Sequence, residues 1–307
     1  MELSPPLSPS LVRAVLREEE LPLRSRAVDP ETAAAVLRYG APVGSVIERH
    51  ARLERGMAYA RRLIAETEAQ GRSFPTGTVI VAGELTGGKG RFQRTWHAPP
   101  GGLWLTLVLV NTLLPAFTRL YPLAVGLACC EAVRGYGIDA RLKWVNDVHV
   151  AGRKLAGVLA ETMLGPRYGE EYILIGVGVN VNNTDFPPEL SSLAVSMHTL
   201  LGREVGLDRF AARLLAKLAW AIGLLHFEEQ EQLAAGDPGP AISPLLASWL
   251  AHSDTIGKRV RFGYDAQRQP QYEATAMELA PDGGLVLRLL PDGPLVTEHA
   301  GEIVYLD

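Results

Sequence analysis

Ala140-Arg141-Leu142-Lys143-Trp144-Val145-Asn146-Asp147-Val148-His149-Val150-Ala151-Gly152-Arg153-Lys154-Leu155-Ala156-Gly157-Val158-Leu159-Ala160-Glu161 reads as successive strands. They fall near 140–144, 148–150 and 154–163, with the tight turn Ala151-Gly152-Arg153 joining the last two. Strands that follow one another without a helix between them argue for α+β rather than a regular βαβ alternation. Outward from this stretch, 78–82, 103–110 and 172–181 are further buried strands. Residues 121–135 form a long apolar helix stopped by Gly135 and Gly137. Helices are expected at 10–20, 30–39, 58–69, 187–201 and 207–228. The second has Asp29 as N-cap, Pro30 at its first position and Gly40 as its stop. After the break Gly236-Asp237-Pro238-Gly239-Pro240 the texture changes. Short alternating strands at 259–262, 272–279, 285–290, 295–299 and 303–306 suggest a β-barrel of about fifty residues. The chain then divides into a helical N-terminal extension (1–41), a central domain (42–250) and the barrel (256–307).

The chemistry is announced by Gly87-Gly88-Lys89-Gly90-Arg91-Phe92-Gln93-Arg94-Thr95-Trp96. Glycines let the backbone turn tightly and bring N–H groups to an anion. Lys89, Arg91 and Arg94 add positive charge, and Trp96 offers a flat face for a base. The loop is neither a Walker loop nor a dinucleotide fingerprint, because it lacks the Gly-Lys-Ser/Thr ending and the required glycine spacing. It suits a nucleotide or an acyl-phosphate. Its plainer reading is a surface hairpin with solvated cations.

Composition narrows the classes. At 307 residues with 47% hydrophobic content the chain is long enough for two or three domains with real cores. A net charge of −4 argues against a broad nucleic-acid surface. No convincing helix-turn-helix pair stands in the first forty or so residues, so DNA binding is not expected. Met1-Glu2-Leu3-Ser4-Pro5-Pro6 has no basic-then-apolar pattern, so no secretory leader is expected. The apolar region 103–133 is interrupted by Asn111, Pro115, Arg119 and Pro122 and is too broken to span a bilayer. A soluble, cytoplasmic protein is the expectation. Cys129 and Cys130 are adjacent in an apolar helix and read as small core residues, with an acyl-carrier thiol as the alternative. No HExxH, Cys/His cluster or Gly-x-Ser-x-Gly elbow points to a metalloenzyme or a serine hydrolase.

Five motifs in order carry a resemblance. Gly88-Lys89-Gly90-Arg91-Phe92-Gln93-Arg94-Thr95-Trp96 resembles the GRGRxxRxW signature of biotin protein ligases. Gly101-Gly102-Leu103-Trp104-Leu105-Thr106 follows. Lys143-Trp144-Val145-Asn146-Asp147 is similar to that family's KWPND, and Arg153-Lys154-Leu155-Ala156-Gly157-Val158-Leu159-Ala160-Glu161 to its RKLAGIL-E. Ile175-Gly176-Val177-Gly178-Val179-Asn180 matches its GxGxN strand. The likeness runs from about Ala41 to the end.

The resemblance implies a mixed-sheet biotin/lipoate ligase-like catalytic domain followed by an SH3-like barrel. It implies a ligase that uses ATP with Mg²⁺ to turn biotin into biotinyl-adenylate. The biotinyl group then passes to a lysine of a biotin carboxyl-carrier protein domain. Lys154 and Arg91 are implied as catalytic groups, with Lys154 meeting the acid's carboxylate and the forming acyl-phosphate. Lys89, Arg91, Arg94, Trp96, Asn146 and Asn180 are implied at the nucleotide. Asp147 is implied at the metal. The acid is implied to lie against Arg55, Gly56, Met57, Leu85, Gly88, Lys89, Gly90, Lys154 and Gly157. The glycine-rich loop is implied to close over the adenylate and exclude water. Plainer readings stand beside these: Trp96 as a core indole, Asp147 as a turn cap, Asn180 in an Asx turn. Homodimer pairing is left open.

Three departures bear on the acid. Arg55-Gly56-Met57 stands where the family has Ser-Thr-Asn or Ser-Thr-Met, Leu85 replaces a Gln, and Lys89 replaces the first loop arginine. Each lost hydrogen bond to a buried polar head costs about 1–3 kcal/mol when nothing replaces it. A ligase for another acid such as lipoate, or a non-catalytic ligand-binding relative, is therefore weighed beside the biotin ligase.

Overall fold

The computed structural model describes residues 5–236 and 243–306. The expected break at Asp237–Pro240 and the reading of Met1–Ser4 lie outside the described residues.

The chain runs α1 (Pro9–Val15), α2 (Leu21–Arg24), α3 (Pro30–Tyr39), β1 (Val46–His50), α4 (Gly56–Ala69), β2 (Thr78–Ala82), β3 (Leu103–Val110), α5 (Pro115–Thr118) and α6 (Tyr121–Arg134). It continues through β4 (Arg141–Lys143), β5 (Asp147–Val150), β6 (Arg153–Leu164), β7 (Glu171–Val179), α7 (Met197–Leu201), α8 (Leu207–Ala235) and α9 (Pro244–His252). Strands β8 (Arg259–Gly263), β9 (Tyr272–Leu279), β10 (Leu285–Leu289), β11 (Leu295–Glu298) and β12 (Glu302–Tyr305) complete it. Among the described residues these form a seven-stranded sheet in the order β1-β2-β3-β7-β6-β5-β4 and a five-stranded sheet in the order β11-β10-β9-β8-β12. The first is mixed, because β1 runs parallel to β2 while its other pairs are antiparallel. The second is antiparallel throughout.

Alternation along β3 and β7 gives the large sheet two unlike faces. Leu103, Leu105, Leu107 and Leu109 point with Ile173, Ile175, Val177 and Val179 into one core. That core is closed by the buried sides of α6 and α8 and reaches Leu11, Val12 and Val15 of α1. The opposite face carries Val108, Tyr172 and Leu174 under α4 at one end, and Trp104 and Ala82 at the other. Between them β7 presents glycine at 176 and 178, and β6 presents Gly157 directly opposite Gly178. Missing side chains on a pleated face leave a trough.

α8 is long and apolar enough to cross a membrane by length and composition. Here Phe210, Leu214, Leu215, Leu218 and Ile222 are buried within the molecule itself, as in a core helix. The N-terminal helices dock on α8 and α6 through ions as well as apolar contacts. Arg24 pairs with Glu20 at 2.7 Å and with Glu131, and Lys217 meets Glu20 at 2.8 Å.

Two expectations fail locally. The helix expected over 187–201 is turns followed by extended chain up to Ser196, whose hydroxyl caps a five-residue helix starting at Met197. The backbone there is committed to the sheet instead: the Lys154 N–H of β6 donates to the Leu193 carbonyl and the Val195 N–H to the Lys154 carbonyl, as in a parallel bridge. The helix expected at 207–228 runs on to Ala235, where Gly236 ends it in the left-handed region.

Candidate active site

The β5–β6 hairpin builds the site. Ala151 at φ 48° and Gly152 at φ 77° make a two-residue turn of the left-handed kind that matches strand twist. A register shift between Val148 and His149 follows. Asp147 is thereby placed opposite Gly157, and Lys154 opposite His149. The Lys154 ammonium lies 2.6 Å from Asp147 Oδ1. The Lys154 backbone is pinned on its far side: its N–H donates to the Leu193 carbonyl at 2.7 Å, and its carbonyl accepts from the Val195 N–H at 3.0 Å.

Lys143 stands across the hairpin from Asp147. With Arg91 of the glycine-rich loop it completes a group of three cations around one partly buried carboxylate. Burial alone would raise the Asp147 carboxyl, but Lys154, then Lys143 and Arg91, hold it below its ordinary value. Burial lowers the Lys143 ammonium, and its fellow cations Lys154 and Arg91 add to that. Burial likewise lowers Arg91. Three positive charges against one negative leave an excess that an anion would offset.

Trp96 lies across the trough. A Cβ on Gly178 would sit 2.7 Å from Trp96 Nε1, and one on Gly157 would sit 2.9 Å from Lys154 Cε and 3.2 Å from Trp96. The Lys154 ammonium is 5.2 Å from the centroid of the indole, which meets Trp104 edge-on at 6.5 Å. The indole N–H is buried without a partner, as is Asn146 Oδ1. Asn146 is oriented by the hydrogen bond from its Nδ2 to the Val158 carbonyl. Asn180 is buried, and its Oδ1 accepts from Asn183 Nδ2 at 3.0 Å. A cleft of about 260 Å³ adjoins these groups, lined among others by Arg91, Asn146, Leu159, Asp282 and His299.

The structure thus brings Lys154, Asp147, Arg91, Trp96 and Gly157 together. Arg94 is turned elsewhere: its fork engages Glu302 at 2.7 Å and Asp265 at 2.9 Å in the second sheet. Lys89 bridges to Thr95 within the loop, and Gly88 packs against Trp96. Gly90 N–H donates to the Arg94 carbonyl at 2.8 Å. Arg55 precedes α4, half-exposed, and pairs with Glu54 at 3.4 Å. Gly56 lies against Thr106, where a Cβ would be 2.4 Å from the hydroxyl oxygen, and Met57 covers Gly176. Leu85 joins an apolar cluster with Leu53, Ala98 and Trp104. Cys129 and Cys130 are buried in α6, and burial pushes both thiols up, Cys130 to about 12. That leaves no thiolate for acyl transfer.

Sequence reasoning missed Lys143, Tyr305 and the acidic pair. The Lys143–Asp147 pairing was findable, because a hairpin through Trp144–Asn146 makes the two cross-strand neighbours. Tyr305 donates to Asp254 Oδ1 at 2.8 Å, and its ring centroid lies 5.9 Å from the Lys143 ammonium. No local pattern signals that contact.

As for Mg²⁺, no group of three His, Cys, Asp or Glu side chains that could hold a metal occurs among the described residues. One carboxylate beside substrate phosphates is an ordinary Mg²⁺ set, and Asp147 fits that role once Lys154 has a second anion to meet.

Comparison with known proteins points one way. Residues 61–180 match the model of the biotin/lipoate A/B protein ligase family. The chain is 35% identical over 203 residues to the bifunctional ligase/repressor BirA of Bacillus subtilis, covering 63% of this chain and 57% of that protein. It is 31% identical over 237 residues to the biotin–[acetyl-CoA-carboxylase] ligase of Mycobacterium tuberculosis, covering 75% and 79%. The Aquifex aeolicus biotin protein ligase solved with biotin and ATP superposes with a TM-score of 0.64 at 19% identity, over 85% of this chain and 98% of that one. That likeness is one of fold. The chain spans a little over half the length of the Bacillus relatives it matches.

Proposed function

The chain belongs to the biotin protein ligase family, and on that premise we propose that it activates biotin with ATP and transfers it to a lysine of a carrier protein. The observation that carries this reading is the Lys154–Asp147 contact of 2.6 Å inside a three-cation group, at the end of a glycine-floored trough.

Two steps follow from that geometry. A carboxylate oxygen of the acid attacks the α-phosphorus of ATP; the acyl C–O–P linkage forms and the bond to pyrophosphate breaks. Lys154 moves from Asp147 to the space between the carboxylate and the α-phosphate, where its ammonium offsets their repulsion. Arg91 and Lys143 meet the phosphate charge, and the unpaired Trp96 N–H and Asn146 Oδ1 offer one donor and one acceptor to the nucleotide. Then the ε-amine of the carrier lysine attacks the acyl carbon. An amide forms, AMP leaves, and the amine's proton passes to solvent. Asp147, with the phosphates of ATP, would hold Mg²⁺, which would supply charge neutralisation on the triphosphate. The loop over Trp96 keeps water from the mixed anhydride.

A second reading is favoured by Leu85 and Gly56. Leu85 belongs to an apolar cluster, and Gly56 presents no hydroxyl beside Thr106. An apolar-tailed acid such as lipoate suits that wall better than a ureido ring does.

The test is transfer. With Mg·ATP, biotin and an apo biotin carboxyl-carrier domain, the carrier gains one biotinyl group by intact mass, and Lys154→Ala abolishes the gain. A carrier that stays unmodified with biotin while a lipoyl domain is acylated with lipoate moves the assignment to the second reading.

A further inference from the structure

The glycine-rich loop, the flap of the site, is tied to the second sheet through three of its residues. Arg94 offers both terminal nitrogens to Glu302, 2.7 Å each, and Nη2 also donates to Asp265 Oδ1 at 2.9 Å. Arg91 Nη1 donates to the Gly301 carbonyl at 2.7 Å. Phe92, held at φ 55°, sets its ring edge-on against Tyr264 with centroids 5.6 Å apart. A non-glycine residue in the left-handed region costs about 1 kcal/mol or more and persists only where neighbours over-determine it.

The acidic partners are built in advance. Glu302 opens β12 beside Arg91's anchor at Gly301, and its Oε2 also accepts from the Ala266 N–H at 3.4 Å. Asp265 is fixed by its own turn, where the Arg268 N–H donates to Oδ1 at 3.3 Å. Glu302 also lies within the field of Arg91 and Lys143, so it borders the cationic group that would receive the phosphates.

The fork of Arg94 has limited capacity. A guanidinium engaged by one carboxylate on two nitrogens, with a second carboxylate alongside, has little left to offer a phosphate. Two negative charges at the same place also oppose a triphosphate.

We propose that Glu302 and Asp265 are positioning residues that hold Arg94 when no phosphate is present, yield it to the β- and γ-phosphates of ATP, and reclaim it when pyrophosphate departs. The acidic pair then does two things. It competes with ATP and pyrophosphate for one cation, which weakens both and speeds pyrophosphate release. It also re-anchors the flap over the acyl-adenylate during the wait for the carrier. This rests on the adenylation reading of the site.

The test uses the full chain with Glu302→Gln, Glu302→Asp, Arg94→Ala and the double variant Arg94→Ala/Glu302→Gln. For a partly exposed ion pair, Glu302→Gln is expected to lower the KM for ATP and the inhibition constant of pyrophosphate by about three- to tenfold. It is also expected to speed escape of the adenylate. Glu302→Asp restores wild-type behaviour in part, and in the Arg94→Ala background Glu302→Gln changes nothing further. A merely structural role would lower kcat and melting temperature without that split. A second readout needs no activity: before ATP is added, trypsin cuts after Arg91 and Arg94 several-fold faster in Glu302→Gln than in wild type. An unchanged or raised KM for ATP, or equal cutting of wild type and Glu302→Gln, overturns the proposal. Failure of wild type to exchange pyrophosphate with any acid would sink the adenylation reading instead, and the trypsin comparison would still decide the anchor.

Discussion

The Lys154 ammonium and the Asp147 carboxylate meet at 2.6 Å from adjacent strands of one hairpin, with Lys143 and Arg91 as the remaining cations about that carboxylate. Removing either partner has a different expected result. Lys154→Ala lowers adenylate formation by about 10²–10³-fold, the size usual for a lost transition-state charge contact. Asp147→Asn leaves the three cations facing one another. It is expected to destabilise the fold by about 2–4 kcal/mol as well as to reduce activity. Urea titration of both variants beside single-turnover adenylation separates the two effects.

The glycine floor is expected to be as demanding as the charges. A methyl group on Gly178 would lie 2.7 Å from the Trp96 indole nitrogen, so the indole would have to shift. Gly178→Ala is expected to shift the tryptophan emission maximum and reduce adenylation about tenfold or more while leaving far-UV dichroism unchanged.

Much of this arrangement was legible in the sequence, and the reason is local. The turn Ala151-Gly152 fixes the hairpin, the alternation along β3 and β7 fixes the faces, and Asp29, Pro30 and Gly40 fix α3 as read. Strand β1 went unread because Val46–His50 carries two charges and a histidine and is half-exposed, so no alternation stands out. Helix α9 went unread although Ser243 caps it and Pro244 begins it. The partners of Arg94 lie 171 and 208 residues away, and no periodicity or spacing reports a contact between a flap and a distant sheet.

Glu228 near the end of α8 gives a pH signature. Its Oε1 accepts from the Leu245 N–H at 2.8 Å, but Oε2 is buried without a partner, and burial raises the carboxyl from 4.5 to about 7. The folded state therefore holds the proton more tightly than the unfolded chain does. The stability this gives is complete below about pH 4.5 and is lost as pH rises through about 7, on the order of 2 kcal/mol. Glu228→Gln is expected to remove that decline. Denaturant midpoints of both proteins at pH 5 and pH 8 check it, and parallel declines would refute it.

The N-terminal helices are held by charge as much as by apolar contact. Glu131 of α6 meets Arg24 and lies 3.6 Å from Lys217, with Glu20 joining both cations. Glu131→Ala leaves Arg24 and Lys217 sharing Glu20 alone, and is expected to cost about 3–5 kcal/mol. Glu131→Gln is expected to cost less, because it keeps the hydrogen-bond acceptor. Chemical denaturation of the two variants gives the comparison.

The most direct test of the central claim, that the hairpin amine and the cationic flap activate a carboxylic acid on ATP, is exchange of labelled pyrophosphate into ATP by the purified chain. Exchange that depends on biotin and disappears in Lys154→Ala is the predicted result. Silence of the folded wild-type protein with biotin, lipoate and every other carboxylic acid supplied would contradict it.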